Sequence, residues 1–300
     1  MLNVYDQINS NKRKTVLIMA GFVGFISLIG YIFGYVNGGP DAAIGALVMA
    51  TGFSIASSFG SYYFSDKLVL SIAGAKKISP ESNPKIYGLV ENLCIGAGIK
   101  KVPDLYIIED NAPNAFATGR DADHSAIAMT QGLLNKLDKR ELEGVLAHEL
   151  SHIRNYDMLL MAIVAVLVGS ISMISSMMFR GSMGSDSEGE RRTPILLIGI
   201  GLLLALLSPV VAELIKLAIS RKREFLADAS AALLTRDPEG LARALEKIAS
   251  DRDPLEVANE ATAHLYFSNP LKSGINADFW AGLFNTHPPA AERIKLLRQM

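Results

Sequence analysis

The chain offers almost no sulfur chemistry. Among 300 residues there is one cysteine, Cys94, so no internal disulfide can form. A secreted, cross-linked fold is therefore disfavoured, and a reducing compartment fits. Cys94 lies in the apolar helical stretch LVENLCIGAGI, where a thiol acts as a small buried hydrophobe rather than a nucleophile or ligand. An excess of charge of one sign is also missing. The formal net charge is −1, which removes the bulk attraction that nucleic acid needs, so no nucleic-acid partner is expected. Histidine is scarce, with five in the chain. Apolar residues are abundant: they make up 50% of the chain, high for a soluble globular protein. No internal repeat is visible.

Four runs carry no charged residue at all: 16–36, 42–64, 158–179 and 195–212. A helix needs about 20 apolar residues to cross a bilayer. The first two meet this easily, and the fourth is near the lower limit. Lys12, Arg13 and Lys14 precede the first run as they would a signal peptide. Its apolar stretch exceeds the usual signal core, however, and no clear small-residue cleavage site follows, so it reads as an anchor. The lipid bilayer is thus an expected partner. Basic residues flank the runs unevenly. Lys12, Arg13 and Lys14 come before the first. Lys67, Lys76, Lys77 and Lys85 follow the second. Lys216, Arg221, Lys222 and Arg223 follow the fourth. The positive-inside rule then places both termini and both polar segments in the cytoplasm. The Ser/Gly-rich link RGSMGSDSEGERRT contains Arg180, Arg191 and Arg192, which argue mildly against an outside location for it.

Four parts follow from this partition. Residues 1–66 form an N-terminal membrane anchor and residues 67–157 the first part of a cytoplasmic domain. Residues 158–212 form a transmembrane hairpin and residues 213–300 the second part of the domain. In the first polar part, DLYIIED, NAFATG and SAIAMT are rich in β-formers and bounded by turn residues, and read as strands of one small sheet. The stretch LDKRELEGVLAHELSHIRNYD reads as a helix. Asp138 is its N-cap, Glu141 completes a capping box, and Leu142, Val145, Leu146, Leu150 and Ile153 share one face. In the second part, SRKREFLADASAALLT, DPEGLARALEKIAS and the tail HPPAAERIKLLRQM read as helices.

The chemistry concentrates in the first of these helices. His148, Glu149 and His152 match H-E-x-x-H. Side chains four apart on a helix face the same way, so both imidazoles can reach one ion. Glu149 is displaced around the helix. It can take the proton of a water whose pKa zinc lowers, as that water attacks a carbonyl. A catalytic zinc needs a third protein ligand and an open position. His124, His264, His287 and the carboxylates are candidates. Glu224 stands out because Asp228 lies one turn further on the same face, able to orient an imidazole N–H. An ordinary solvated helix is the competing reading there.

The chain resembles the HtpX family of membrane-bound zinc metalloproteases, related to the CAAX prenyl endopeptidases. The resemblance rests on NAFATG, AHELSHIRNYDM, SRKREFLAD, SNPL at 268–271, and THPPAAERI near the end, and spans nearly the whole chain. It implies an α+β, zincin-type (gluzincin) protease domain, mostly helical with a small sheet, on four transmembrane helices. It implies one zinc held by His148, His152 and Glu224, with Glu149 as general base. It also implies His287 and Arg293 as donors to the scissile carbonyl, and Asn114, Ala115 and Phe116 as a substrate-binding strand edge. The implied activity is endoproteolysis of misfolded or damaged membrane proteins at the cytoplasmic face of the bacterial inner membrane. Such work belongs to stress-linked quality control, with other membrane quality-control proteases as partners. Two alternatives remain. A site-two-type intramembrane protease would place the motif inside an apolar span, whereas the lead-in NKLDKRELEG is charged and capped. A non-catalytic scaffold or transporter would leave the motif incidental, yet no charged residue marks a pathway within any span.

Overall fold

In a computed structural model, the described residues are 4–167, 221–251, 253, 255, 265–267 and 288–300. The chain opens with α1 (Val4–Ile72), 69 residues broken once at Gly38 and Gly39. Gly39 has φ 73° and is followed by Pro40; a positive φ beside a proline ends one arm and starts the next. Both arms, Asn9–Tyr35 and Gly38–Ile72, are long and apolar enough to cross a membrane. They fold back on each other closely. A Cβ on Gly34 would lie 2.5 Å from the Ala42 carbonyl oxygen, and one on Gly30 would lie 2.4 Å from Ala50 Cβ. Small residues of this kind let membrane helices approach backbone to backbone, and Ser27 Oγ sits 2.8 Å from Thr51 Oγ1 across the seam. The outer faces stay apolar and exposed, with Val16, Val48 and Met49 each more than 60% accessible. Lipid, not water, suits such a surface.

The rest of the described chain is mostly helical with one small sheet. After α1 come β1 (Lys76–Lys77), α2 (Pro84–Ala97), β2 (Asp104–Ile108), β3 (Ala115–Asp121) and β4 (His124–Thr130). The strand order is β1-β2-β4-β3, with β2 parallel to β4 and the other pairs antiparallel. β3 is therefore an edge among the described strands. At its far end Gly119 takes φ 136°, and a Cβ there would lie 2.2 Å from the His124 carbonyl oxygen, so the tight return into β4 demands glycine. Side chains alternate across the sheet as strand geometry requires. Leu105, Ala115, Ala117, Ile127 and Met129 join one apolar cluster, and Ile108, Phe116, Ala126 and Ala128 join the other. The short β1 and the helix α3 (Gln131–Lys136) are additions to the sequence reading.

Helix α4 (Lys139–Asn155) carries the H-E-x-x-H residues. Its capping box is present: Asp138 Oδ1 accepts from the Arg140 and Glu141 amides at 2.8 and 3.0 Å, and Glu141 Oε2 accepts from the Asp138 amide at 2.8 Å. Glu141 also receives Lys247 Nζ at 2.6 Å, which ties the helix start to the helix over 238–250. The sequence gives this helix one apolar face, from Leu142 to Ile153. Yet α4 is buried along most of its length, because α2 and the sheet lie on one side and α6 (Arg221–Thr235) and α7 (Pro238–Ser250) on the other. Gly144 allows this: a Cβ there would stand 3.0 Å from three atoms of Leu241. At Tyr156, in the left-handed region with φ 58°, the chain turns by 85° into α5 (Asp157–Leu167). The expected third span therefore begins as a helix packed inside the protein, with Leu160, Ile163, Val164 and Leu167 fully buried against Ile18, Phe22 and Ile26 of α1. The rest of 158–179, and all of 195–212, lie outside the described residues. A final helix, α8 (Ala290–Leu297), packs on α6 and α7. Cys94 is buried within α2, and burial pushes its thiol up to about 11, consistent with an inert core position.

Candidate metal centre

Three buried side chains from two helices converge on one point. One ligand atom each from His148, His152 and Glu224 lies within 4.8 Å of the others. The two Nε2 atoms are 3.1 Å apart. Glu224 Oε1 is 3.5 Å from His152 Nε2, and Oε2 is 3.8 Å from His148 Nε2. Helix α4 supplies both imidazoles from one face, and α6 brings the carboxylate across. Glu149 is also buried, at 3% exposure, and its charge acts on both His152 and Arg293.

Each imidazole is held from behind by a carboxylate. His148 Nδ1 is 3.0 Å from Asp228 Oδ1, and His152 Nδ1 is 3.2 Å from Asp157 Oδ2. A carboxylate on Nδ1 leaves Nε2 as the free lone pair turned toward the shared point. Asp228 is itself gripped by Arg293, whose Nε and Nη2 donate to its two oxygens at 2.8 and 2.7 Å. Arg293 Nη1 stands 3.8 Å from Glu224 Oε2, and its guanidinium stacks 4.8 Å over the Phe267 ring. The sequence reading made Arg293 a donor to substrate. Here two of its three nitrogens face Asp228 and the third stands near Glu224. The partner in that reading, His287, lies outside the described residues, as does His264. His124 is remote in chemistry as well: it pairs with Asp121 at 2.7 Å on the exposed β3–β4 turn.

The electrostatics separate the two histidines. Burial pushes His148 down to about 4, against the pull of Asp228. Burial also opposes protonation of His152, but the Asp157 hydrogen bond and the Glu224 charge outweigh it and raise the group to about 9. Asp228 feels the same burial, and the Arg293 charge overrides it to hold the carboxyl below its usual range.

Asn114, Ala115 and Phe116 are all buried. Asn114 is tied to β4 through its backbone, whose N–H donates to Thr130 Oγ1 at 2.9 Å. The Ala115 carbonyl points outward and accepts from the Phe267 amide at 2.8 Å. Phe116 packs edge-on against Tyr266 at 5.1 Å, and Phe267 packs edge-on against His148 at 5.0 Å. The proposed substrate edge is thus covered at Ala115 by the chain's own residues 265–267. Sequence reasoning missed Asp157, Phe267 and Arg223. Asp157 carried a faint signal, a carboxylate just past the end of the motif helix.

The profile of peptidase family M48 matches residues 80–300. The chain belongs to peptidase family M48. Curated relatives extend the match over the full length. A protease HtpX homolog of Thermoanaerobacter pseudethanolicus is 41% identical, covering 99% of this chain and 98% of the relative. One of Tropheryma whipplei is 42% identical, with the same coverage. One of Ligilactobacillus salivarius is 40% identical, covering 99% and 100%. Among solved structures, S. mikatae Ste24p aligns with a TM-score of 0.50 at 19% identity, over 97% of this chain and 66% of that one; this likeness concerns the fold alone. The M48 membership and the buried His-His-Glu cluster together make the protein a membrane-associated metalloprotease of the HtpX type.

Proposed function

We propose that the protein is a gluzincin-type zinc endopeptidase, carrying one zinc per chain on His148, His152 and Glu224. The observation that carries this reading is the buried cluster of two Nε2 atoms and one carboxylate within 4.8 Å, with a carboxylate behind each imidazole. Two nitrogens and one oxygen are the donor set of a catalytic zinc, which keeps a fourth position open. The two Nε2 atoms, 3.1 Å apart, turn toward one shared point, the placement two zinc-binding imidazoles need. A zinc held there would supply Lewis acidity and would lower the pKa of water. Glu149 accepts the proton of the attacking water on its carboxylate and returns it to the leaving amine. Asp228 and Asp157 hold the imidazoles in the required tautomer, and Arg293 fixes Asp228 and balances the acidic pocket. Phe267 walls one side with an apolar ring. His287 is assigned as a donor to the developing oxyanion, and Asn114, Ala115 and Phe116 as the edge a peptide pairs with once residues 265–267 move aside.

The finer biology follows the same reading. Four membrane helices anchor a domain facing the cytoplasm at the bacterial inner membrane, where misfolded or damaged membrane proteins are cleaved under stress, alongside other quality-control proteases. An intramembrane protease of the site-two type fits less well, because α4 lies among a sheet and helices rather than among lipid-facing spans. The decisive variant is Glu149→Gln. It is expected to keep zinc and lose cleavage, and membrane-fraction proteomics comparing it with the wild type should reveal accumulating membrane proteins. Undiminished cleavage by purified Glu149→Gln would sink the assignment of the base.

A further inference from the structure

The anchor reaches the metal centre through Asn11. Asn11, on the first arm of α1, is 2% exposed. Its Nδ2 donates to Asp157 Oδ1 at 2.7 Å and to the Asn155 carbonyl at 3.1 Å. Its Oδ1 accepts from Arg223 Nη1 at 3.2 Å. Asp157 uses its other oxygen, Oδ2, on His152 Nδ1, and Arg223 stands immediately before Glu224. The single Asn11 amide therefore touches the chain at the end of the motif helix, at the carboxylate behind the second histidine, and next to the carboxylate ligand. Lys12 adds a contact at the same place, its Nζ 4.8 Å from the centre of the Tyr156 ring.

We propose that Asn11 is a positioning residue of the metal site: it fixes the Asp157 carboxylate that orients His152, and so makes the first membrane arm a structural part of the centre rather than a tether. The inference rests on the metal reading above. The chemistry is specific. Without Asn11, Oδ1 would keep only the long Arg223 Nη1 contact at 3.5 Å, too weak to stop the carboxylate rotating about its Cβ–Cγ bond and releasing the imidazole. A donor on Oδ1, itself locked by Arg223 and a backbone carbonyl, stops that rotation. Asparagine suits the task because its amide donates on one side and accepts on the other. Groups that orient a metal-bound histidine typically change metal affinity 10- to 100-fold when removed. Asn11 acts one bond further out, so about a tenfold loss is expected.

The test uses the full chain in detergent, with Glu149→Gln throughout to prevent self-cleavage. Zinc affinity is measured by competition with a chromophoric chelator, and the cobalt-substituted protein by its visible absorption. Asn11→Ala and the isosteric Asn11→Asp, which keeps a partner for Arg223 but removes both donated bonds, should each weaken zinc about tenfold and alter the cobalt spectrum. Ser27→Ala, which cuts the Ser27–Thr51 contact in the same helical hairpin, should change neither. In the double variant with Asp157→Asn, the Asn11 change should add little, because it acts through a carboxylate already gone. A purely structural role would lower thermal stability while leaving zinc affinity and the spectrum untouched. Folded Asn11→Asp with wild-type affinity and spectrum overturns the proposal. Full additivity with Asp157→Asn overturns it too. A parent protein that binds no zinc at all overturns the metal reading instead, which separates the two failures.

Discussion

Zinc affinity at this site should climb with pH by one proton's worth, and the geometry fixes the window. Without metal, the two Nε2 atoms 3.1 Å apart cannot both point a proton at each other. Burial holds His148 at about 4. Burial acts on His152 as well, but the Asp157 bond and the Glu224 charge raise it to about 9. Between those limits the metal-free site keeps one imidazolium, on His152. Binding requires both rings neutral, so each zinc expels one proton. The apparent association constant should then rise about tenfold per pH unit, or about 100-fold from pH 6 to 8, equal to about 2.7 kcal/mol. The linkage has a matching sign. A folded pKa above the model value of 6.5 means the charged ring stabilises the metal-free fold. That contribution is complete below about 6.5 and disappears as pH rises through about 9. The thermal stabilisation conferred by zinc should therefore grow across the same range. Chelator competition at a series of pH values gives the slope, and calorimetry in two buffers of different ionisation enthalpy counts the proton directly. A slope near zero, or near two, refutes the assignment of one charged and one neutral histidine. Asp157→Asn should lower His152 and flatten the slope at its alkaline end.

Arg293→Ala should destabilise the metal-free protein by roughly 3–5 kcal/mol in denaturant melts, because it removes the guanidinium that neutralises the buried Asp228 carboxylate; an effect below about 1 kcal/mol would show that water reaches the cluster. Gly144→Val should cost about 1–3 kcal/mol, since the added carbons meet Leu241 head-on and α4 must move away from α7; wild-type stability would mean that the helices part freely. In the anchor, Gly34→Leu should split the hairpin seam and reduce the yield of membrane-inserted protein, read by carbonate extraction, whereas Gly21→Leu, which meets nothing within 4 Å, should not. A reporter active only outside the membrane, fused after Arg252, should stay silent, and activity there would reverse the assigned orientation.

What could be read from the sequence was local. The capping box needs only Asp138 and Glu141, three residues apart, and its hydrogen bonds are those the spacing demands. The strands were readable because β-formers stand between turn residues, and the paired imidazoles because helical spacing alone aligns positions 148 and 152. Glu224 was half legible: its own helix was clear, but its meeting with α4 depends on packing. Asp157 and Asn11 stayed hidden for the same reason, since their contact spans 146 positions and passes through the left-handed turn at Tyr156, a residue type that carries no signal for positive φ. Burial of α4 on its polar face was equally invisible. A hydrophobic pattern marks only the apolar stripe, whereas here charges are covered by other charges.

The placement of a charged motif at the mouth of an apolar run has a physical cause. Four buried carboxylates, two imidazoles and two guanidiniums crowd a small volume: Glu149, Asp157, Glu224 and Asp228 with His148, His152, Arg223 and Arg293. Such a group stays intact only if every member is held, because an unpaired buried charge is expensive while a fully bonded network is rigid. The 85° bend at Tyr156 provides that closure. It drops Asp157 onto His152 from behind and sends α5 into the apolar layer shared with α1. That layer brings Asn11 to the same spot. A straight helix would have carried Asp157 past the metal centre, because five residues along an α-helix is well over one turn. The bend that seats the chain against its anchor is thus also the one that orients the second histidine. This accounts for the apolar run starting within six residues of His152 rather than after a linker.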